Sequence, residues 1–217
     1  MRITALKPQP RHPDRLDLFV DGVARLVVAS DVAMELGLRA GTEVGEAELE
    51  RVAAADVRWR AREAALALLG YRARSAAELR RRLLRKQFPA DVVDGIAAEL
   101  AERGHLDDGA FARAFVREHT GRRPRGRGRL LQELRSRGVA AEAAGEAIAD
   151  VFRDESLDEA ALARTAAADW LRRSGARAHG PDARRRLRAY LARRGFFGEP
   201  ARAVIDEVLP RGAARSG

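Results

Sequence analysis

A repeat limits what this chain can fold into more than any other feature. Three segments superimpose: LRRRLLRKQF from Leu79, LLQELRSRGV from Leu130 and LRAYLARRGF from Leu187. Each carries Leu, a second Leu four residues on (Leu83, Leu134, Leu191), and a basic residue three further (Lys86, Arg137, Arg194). Gln87 or a glycine (Gly138, Gly195) follows, and then Phe88, Val139 or Phe196. The offsets of 51 and 57 residues make one unit about fifty residues long.

Each unit reads as three helices. Behind each segment lies an amphipathic pattern with apolar spacing of three and four: Val93, Ile96 and Leu100; Ala144, Ile148 and Val151; Ala201, Val204, Ile205 and Val208. In front lies another, anchored by Leu66 and Leu69, by Phe111 and Phe115, and by Leu162, Thr165 and Trp170. Ser75-Ala-Ala-Glu78 fits a capping box and Asp107-Asp108 can cap the following helix. Gly104, Gly138 and Gly195 sit where helices stop, and Pro89, Pro124, Pro181 and Pro200 lie at junctions. Three-helix units this small bury little alone, so neighbours are expected to stack into an elongated, curved array.

Residues 1–58 differ. RLDLFVDGVARLVVA sets Asp21-Gly22 between two runs of β-formers, the chemistry of a two-residue hairpin, and Ile3 to Lys7 can add a third strand. Ser30-Asp31 is expected to cap a short helix closed by Gly41, and a longer helical pattern runs from Glu46 to Leu69. The fold class is thus mainly α, with a small N-terminal β-hairpin segment. The expected divisions are 1–58, repeats at 59–106, 107–153 and 154–210, and a disordered tail at 211–217.

Charge follows the same repeat. The chain is +9 overall, and every basic residue except Lys7 and Lys86 is arginine. Residues 72–88, 117–138 and 184–194 each carry a net +6, whereas 90–104, 139–155 and 198–209 carry −3, −4 and −2. Pairing between adjacent helices absorbs part of this and leaves a surplus in every unit, which favours polyanions or an acidic protein surface. At about 100° per residue, Arg74, Arg81 and Arg85 fall opposite Leu79 and Leu83 and are expected to be exposed. Arg185, Arg188 and Arg193 are the candidate contact residues of the third unit. The densest stretch, GRRPRGRGR, sets Arg122, Arg123, Arg125, Arg127 and Arg129 among glycines and Pro124, and reads as a flexible loop. Its guanidinium groups can grip phosphate or carboxylate oxygens bidentately.

Chemistry of other kinds is missing from the pattern. With no cysteine, and with His12, His105, His119 and His179 scattered, neither metal nor cofactor is expected. The glycine-rich stretch lacks a Gly-Lys-Ser/Thr ending and follows no strand, so it is not a nucleotide loop. There is no nucleophile elbow, and Asp107-Asp108 beside His105 suit a helix start better than an acid–base pair. Trp59, Trp170, Tyr71 and Tyr190 fall near apolar helix positions and are expected to fill the core, Tyr71 being the one worth testing as a base-stacking group. No apolar run is long enough for a membrane span, and the start of the chain lacks a signal-peptide core, so a cytoplasmic location is expected.

These residues carry a family resemblance. YRARSAAELRRRLLRKQFPADVVDGIAAELAERGHLDDGAFARAFVREHTG resembles the signature stretch of the RecX family of recombination regulators, through Ser75, Glu78, Leu79, Leu83, Lys86, Phe88, Asp107, Asp108, Phe111, Ala112 and Phe115. GRGRLLQELRSRGV and YLARRGF resemble that family's later repeats, and DLFVDGVARLVVASDVAMELGLRAG the β-containing segment of its longer members. Gln87 departs from the family's glycine, so the first basic helix is expected to end without a left-handed cap. The resemblance implies a non-enzymatic, monomeric regulator in DNA repair, recombination and the SOS response. Such a protein binds the RecA recombinase filament on single-stranded DNA and lowers its ATP hydrolysis, strand exchange and coprotease activity. The charge pattern by itself leaves open an autonomous protein that binds single- or double-stranded DNA.

Overall fold

The computed structural model describes residues 1–121, 123–175, 178 and 180–210. Arg122, His179 and the expected tail at 211–217 lie outside the described residues. The chain divides into two compact units, one of 1–73 with 79–105 and the other of 74–78 with the chain from Leu106 onward.

The first unit opens with an antiparallel meander, β1 (Ile3–Gln9), β2 (His12–Val20) and β3 (Val23–Ala29), in the order β1-β2-β3. Asp21 (φ 50°) and Gly22 (φ 81°) are both left-handed, as a two-residue turn between right-twisted strands requires, and they pair Val20 with Val23. Ile3, Leu18, Val20 and Val28 bury one face of the sheet with Val32, Val44, Leu49 and Val52. A short helix, α1 (Ser30–Glu35), follows. Two expectations are corrected here: no side chain caps α1, and the chain turns at Leu36 and left-handed Gly37 (φ 64°) rather than at Gly41.

Helix α2 (Glu46–Tyr71) is continuous through residues 58 and 59. Its Asp56 is 4% exposed and ties the sheet to the helix, because its carboxylate accepts hydrogen bonds from Arg15 Nη1 (2.7 Å), the Ala29 amide (2.9 Å) and Arg60 Nε (3.0 Å). Helices α3 (Ala76–Arg85) and α4 (Ala90–Glu102) complete the first triplet. The second unit holds two further triplets, α5 (Asp108–Thr120), α6 (Arg127–Ser136) and α7 (Ala141–Asp154), then α8 (Glu159–Ser174), α9 (Ala183–Arg193) and α10 (Gly198–Val208).

The leucine pairs that defined the repeat have one role throughout. Leu79, Leu83, Leu130, Leu134, Leu187 and Leu191 are all 0% exposed, each burial stabilising the fold by roughly 1.5–3 kcal/mol. In the second triplet Ala144, Ile148 and Val151, and in the third Ala201, Val204 and Ile205, share one buried cluster with these leucines, as the spacing predicts. First helices differ in detail: α2 buries Ala61 and Ala65, with Leu66 and Leu69 only half-buried, and α8 buries Ala163, Ala166, Ala167 and Trp170 while Thr165 is exposed. Small residues let these helices approach closely, a signal that apolar anchors alone do not carry.

Every middle helix ends alike. The residue after the last turn is left-handed, Gln87 (φ 65°), Gly138 (φ 86°) or Gly195 (φ 87°), and the next amide donates back to the carbonyl of Leu83, Leu134 or Leu191. The expectation that Gln87 forgoes this cap is therefore wrong: the backbone adopts the left-handed turn at the cost of a side chain there. Pro200 is likewise corrected from junction to first turn of α10, where its missing N–H costs no helical bond.

Candidate functional site

Three middle helices present the arginines, and partners divide them into two groups. On α3, Arg81 and Arg85 are exposed with no ion pair among the described residues, whereas Arg80 reaches Asp94 of α4 (2.8 Å). Arg74 corrects the expectation of exposure. It is 5% exposed and pairs with Glu78 at 2.7 Å. A helical projection does not apply to it, because it precedes the Ser75 cap on non-helical backbone, and Ser75 Oγ accepts the Glu78 amide (3.1 Å). The capping box is thus half used: the Glu78 carboxylate answers Arg74.

Around α6 the expected flexible loop is shorter than its glycines suggest. The helix begins at Arg127 and takes in Gly128 and Arg129, because neighbouring groups fill the space a side chain would occupy. A Cβ on Gly126 would lie 2.3 Å from the Gly195 carbonyl oxygen, and one on Gly128 would lie 2.6 Å from the Phe197 ring. The Gly126 amide donates to the Arg194 carbonyl (2.8 Å) and the Gly128 amide to that of Gly195 (3.3 Å). The start of α3 meets the end of α6 in the same way, since Ser75 Oγ donates to the Arg137 carbonyl (2.5 Å) and Ala77 leaves no room for a Cβ on Gly138.

Glu133 of α6 is the hub of this region. It takes Arg125, Arg129 (2.6 Å) and, more distantly, Arg137 (4.0 Å). Arg127 lies 4.0 Å from the Phe152 ring centroid and pairs with Glu159 at 3.5 Å. Burial pulls the Arg125 guanidinium below its usual pKa against the attraction of Glu133, and the nearby charges of Arg129, Arg137 and Arg194 pull the same way. Arg123 is exposed and unpaired among the described residues. On α9, Arg185 pairs with Asp182 (3.1 Å), while Arg188 and Arg193 are exposed without such a partner among the described residues.

A recess of about 700 Å³ between the start of α6 and the end of α9 gathers Arg123, Arg125, Arg129, Arg193 and Arg194 with Glu133. Arg123 and Arg125 also line a neighbouring recess that holds Arg172 and Arg173. Sequence reasoning missed Arg135, exposed and unpaired among the described residues, and Phe197, 59% exposed at the recess. The signal for Phe197 was available: Phe196 already fills the repeat's apolar position, so the second phenylalanine is surplus. Tyr71 is 84% exposed, which corrects its assignment to the core, whereas Trp170 is buried and Trp59 and Tyr190 partly so.

Among the described residues no group of three or more His, Asp or Glu is placed to hold a metal ion. Asp107 caps α5 by accepting the Ala110 amide (2.8 Å), and Asp108 accepts that of Ala76 (2.8 Å). No described helix is long and apolar enough to cross a membrane.

Comparison with known proteins places these triplets. Residues 61–100 match the family described as RecX, first three-helix domain, and 107–148 match RecX, second three-helix domain. The regulatory protein RecX of Pelodictyon phaeoclathratiforme is 33% identical over 149 residues, covering 69% of this chain and 89% of its own. That of Bacillus pumilus is 27% identical over 207 residues, 95% of this chain and 76% of its own. The match to the Bacillus velezensis protein, 28% identical over 158 residues, spans 60% of that relative's length. A crystal structure of a regulatory protein RecX, 25% identical, superimposes with a TM-score of 0.75 over 94% of this chain and 98% of that one. RecX from Lactobacillus salivarius shares the fold at 20% identity, with a TM-score of 0.59 over 71% of this chain. The repeat, its helix ends and these likenesses agree, and the chain belongs to the RecX family of regulatory proteins.

Proposed function

We propose that this chain is a non-enzymatic, negative modulator of RecA recombinase that binds the RecA filament on single-stranded DNA and lowers its ATPase, strand-exchange and coprotease activities. Family membership supports the regulatory role, and one observation supports the manner of binding. Arg81 and Arg85 on α3, Arg135 on α6, and Arg188 and Arg193 on α9 are exposed arginines without ion pairs among the described residues. A set of middle helices with cations in reserve can answer both carboxylates of a protein filament and phosphates of its DNA. Arg74 leaves the proposed contact set. Arg185, Arg125, Arg127 and Arg129 stay in it as partly committed members, and Arg122 as one outside the described residues. In this reading the repeats 59–106, 107–153 and 154–210 act as successive contact modules of a cytoplasmic monomer that needs no cofactor.

The test is a titration of the full chain against the ATPase of cognate RecA on single-stranded DNA. Hydrolysis is expected to fall as the chain approaches stoichiometry with the filament, and an unchanged rate across the titration overturns the proposal. The same unpaired arginines favour a second reading, an autonomous DNA-binding protein. It would bind naked DNA with affinity falling steeply in salt and would leave the recombinase untouched.

A further inference from the structure

The recess between α6 and α9 combines two chemistries. Five arginines and one glutamate give it a strong positive balance, and an aromatic ring stands at the same place. Glu133 occupies Arg125 and Arg129, and Arg194 donates to the Pro124 carbonyl (3.4 Å) and lies 5.0 Å from the Tyr190 ring centroid. Arg123 and Arg193 are left with charge to spend, having no hydrogen bond or ion pair among the described residues.

Phe197 is the N-cap residue of α10 and needs no exposure to serve the core, because Phe196 beside it is buried at 1% exposure. Its ring edge rests against Gly128, which holds it in place while 59% of the residue remains open to solvent. A large aromatic that lies against Gly128 and stays open to solvent, beside guanidinium groups unpaired among the described residues, is matched by a ligand with a flat apolar face and flanking anionic oxygens. A nucleotide unit is such a ligand. Duplex DNA hides its base faces in the stack, so the aromatic selects a single strand, whose bases are free to turn outward.

We infer that this recess seats a nucleotide of a single-stranded nucleic acid, its base against Phe197 and its flanking phosphates on Arg123 and Arg193. The inference deepens the function proposed above, resting on it only in taking nucleic acid as a partner. Arg125, held by Glu133 and half-buried, lines the floor and keeps the potential positive without leaving its own partner.

The experiment follows fluorescence anisotropy of the full-length chain with fluorescein-labelled oligothymidylate and, separately, with a blunt duplex. Phe197→Ala is expected to weaken single-strand binding roughly fivefold to a hundredfold, with duplex binding and the salt slope unchanged. Arg193→Gln and Arg123→Gln should each flatten the salt slope by about 0.7 for the single strand. Phe197→Trp should restore affinity and add a fluorescence signal, beyond that of the wild-type tryptophans, that is quenched when oligothymidylate binds. Circular dichroism melts check that each variant folds. Single-strand affinity unmoved by Phe197→Ala, or equal loss on single strand and duplex, overturns the inference. The ATPase titration is scored independently. A wild-type chain that inhibits the filament while Phe197→Ala binds the strand normally sinks the inference and leaves the regulator intact. A chain that fails to inhibit while Phe197→Ala loses the strand does the reverse.

Discussion

Two buried charges decide more at the residue scale than the many exposed ones. Asp56 receives two arginines and a backbone amide in a setting only 4% exposed, so its loss strands Arg15 and the Ala29 N–H together. Asp56→Ala should therefore destabilise the chain by about 3 kcal/mol or more, read as a lower urea midpoint for the N-terminal unit, whereas Arg51→Ala, whose pair with Glu48 is exposed, should change it by less than about 0.5 kcal/mol. Arg74 belongs in the same class. Arg74→Ala removes a 2.7 Å pair with Glu78, whose side chain is 12% exposed, and should cost about 2–4 kcal/mol, read as a lower urea midpoint for the unit that holds residues 74–78. Neither role was legible in the sequence. Asp56 is one polar residue within the helical pattern from Glu46 to Leu69; Arg60 lies one turn on, but Arg15 and Ala29 lie 41 and 27 positions away, a separation that local spacing cannot show. Arg74 was misplaced because helical geometry was extended one residue past the cap, where the backbone no longer turns by 100° per residue.

The recurring element is the end of each middle helix, where one turn answers two needs at once. The left-handed residue closes its own helix, and in two cases the first turn of the preceding middle helix packs directly on that residue: Ala77 on Gly138, and Arg129 on Gly195. Gly138→Ala and Gly195→Ala combine a left-handed Cβ with approaches of only 2.2 Å to Ala77 and 2.1 Å to Arg129, and each should cost more than about 2 kcal/mol of unfolding free energy. Gln87, exposed and left-handed, bears the conformational cost of a side chain there, so Gln87→Gly should stabilise by about 0.5–1 kcal/mol in the same denaturant series. The three turns were visible as aligned positions in the repeat, and so were the leucines beneath them. The packing of one helix start on another helix end was not, because Gly126 and Gly128 look like loop-makers until the group filling their missing Cβ is known. A second recurring element links first helices to third through Arg58–Glu99 (2.7 Å), Arg117–Glu155 (2.9 Å) and Arg164–Glu207 (2.9 Å). The hydrogen bond from Arg164 holds the Glu207 carboxyl below its ordinary value. For Glu99 burial pushes upward, yet the Arg58 bond with the Arg103 and Arg62 charges wins. A carboxyl lowered on folding stabilises above its unfolded pKa and loses that contribution as pH falls through the folded one.

Across the whole molecule, the net +9 mixes spent charge with free charge. Ion pairs consume the arginines that face acidic third helices, as Arg80 with Asp94 and Arg184 with Asp206 show, so part of the alternation in the sequence is internal pairing. On α3, α6 and α9 the arginines left for a partner, unpaired among the described residues, are Arg81, Arg85, Arg135, Arg188 and Arg193. Salt dependence distinguishes the two populations, because only a cation that displaces counterions from a phosphate contributes to the slope, at about 0.7 per contact on a single strand. If each repeat contributes contacts, Arg81→Gln with Arg85→Gln should flatten the slope of log affinity against log salt by about 1.4, Arg188→Gln with Arg193→Gln should do the same, and all four together should flatten it by about 2.8. The control pair Arg153→Gln with Arg164→Gln removes as much formal charge from arginines already bound to Asp150 and Glu207, and should leave the slope nearly unchanged. A loss confined to the α9 pair would mean that one repeat grips the strand and the others serve a different surface. Equal loss in the control would mean that overall charge, rather than the unpaired set, governs binding. Equal and additive losses from α3 and α9, with a silent control, are the result that a repeated contact surface demands.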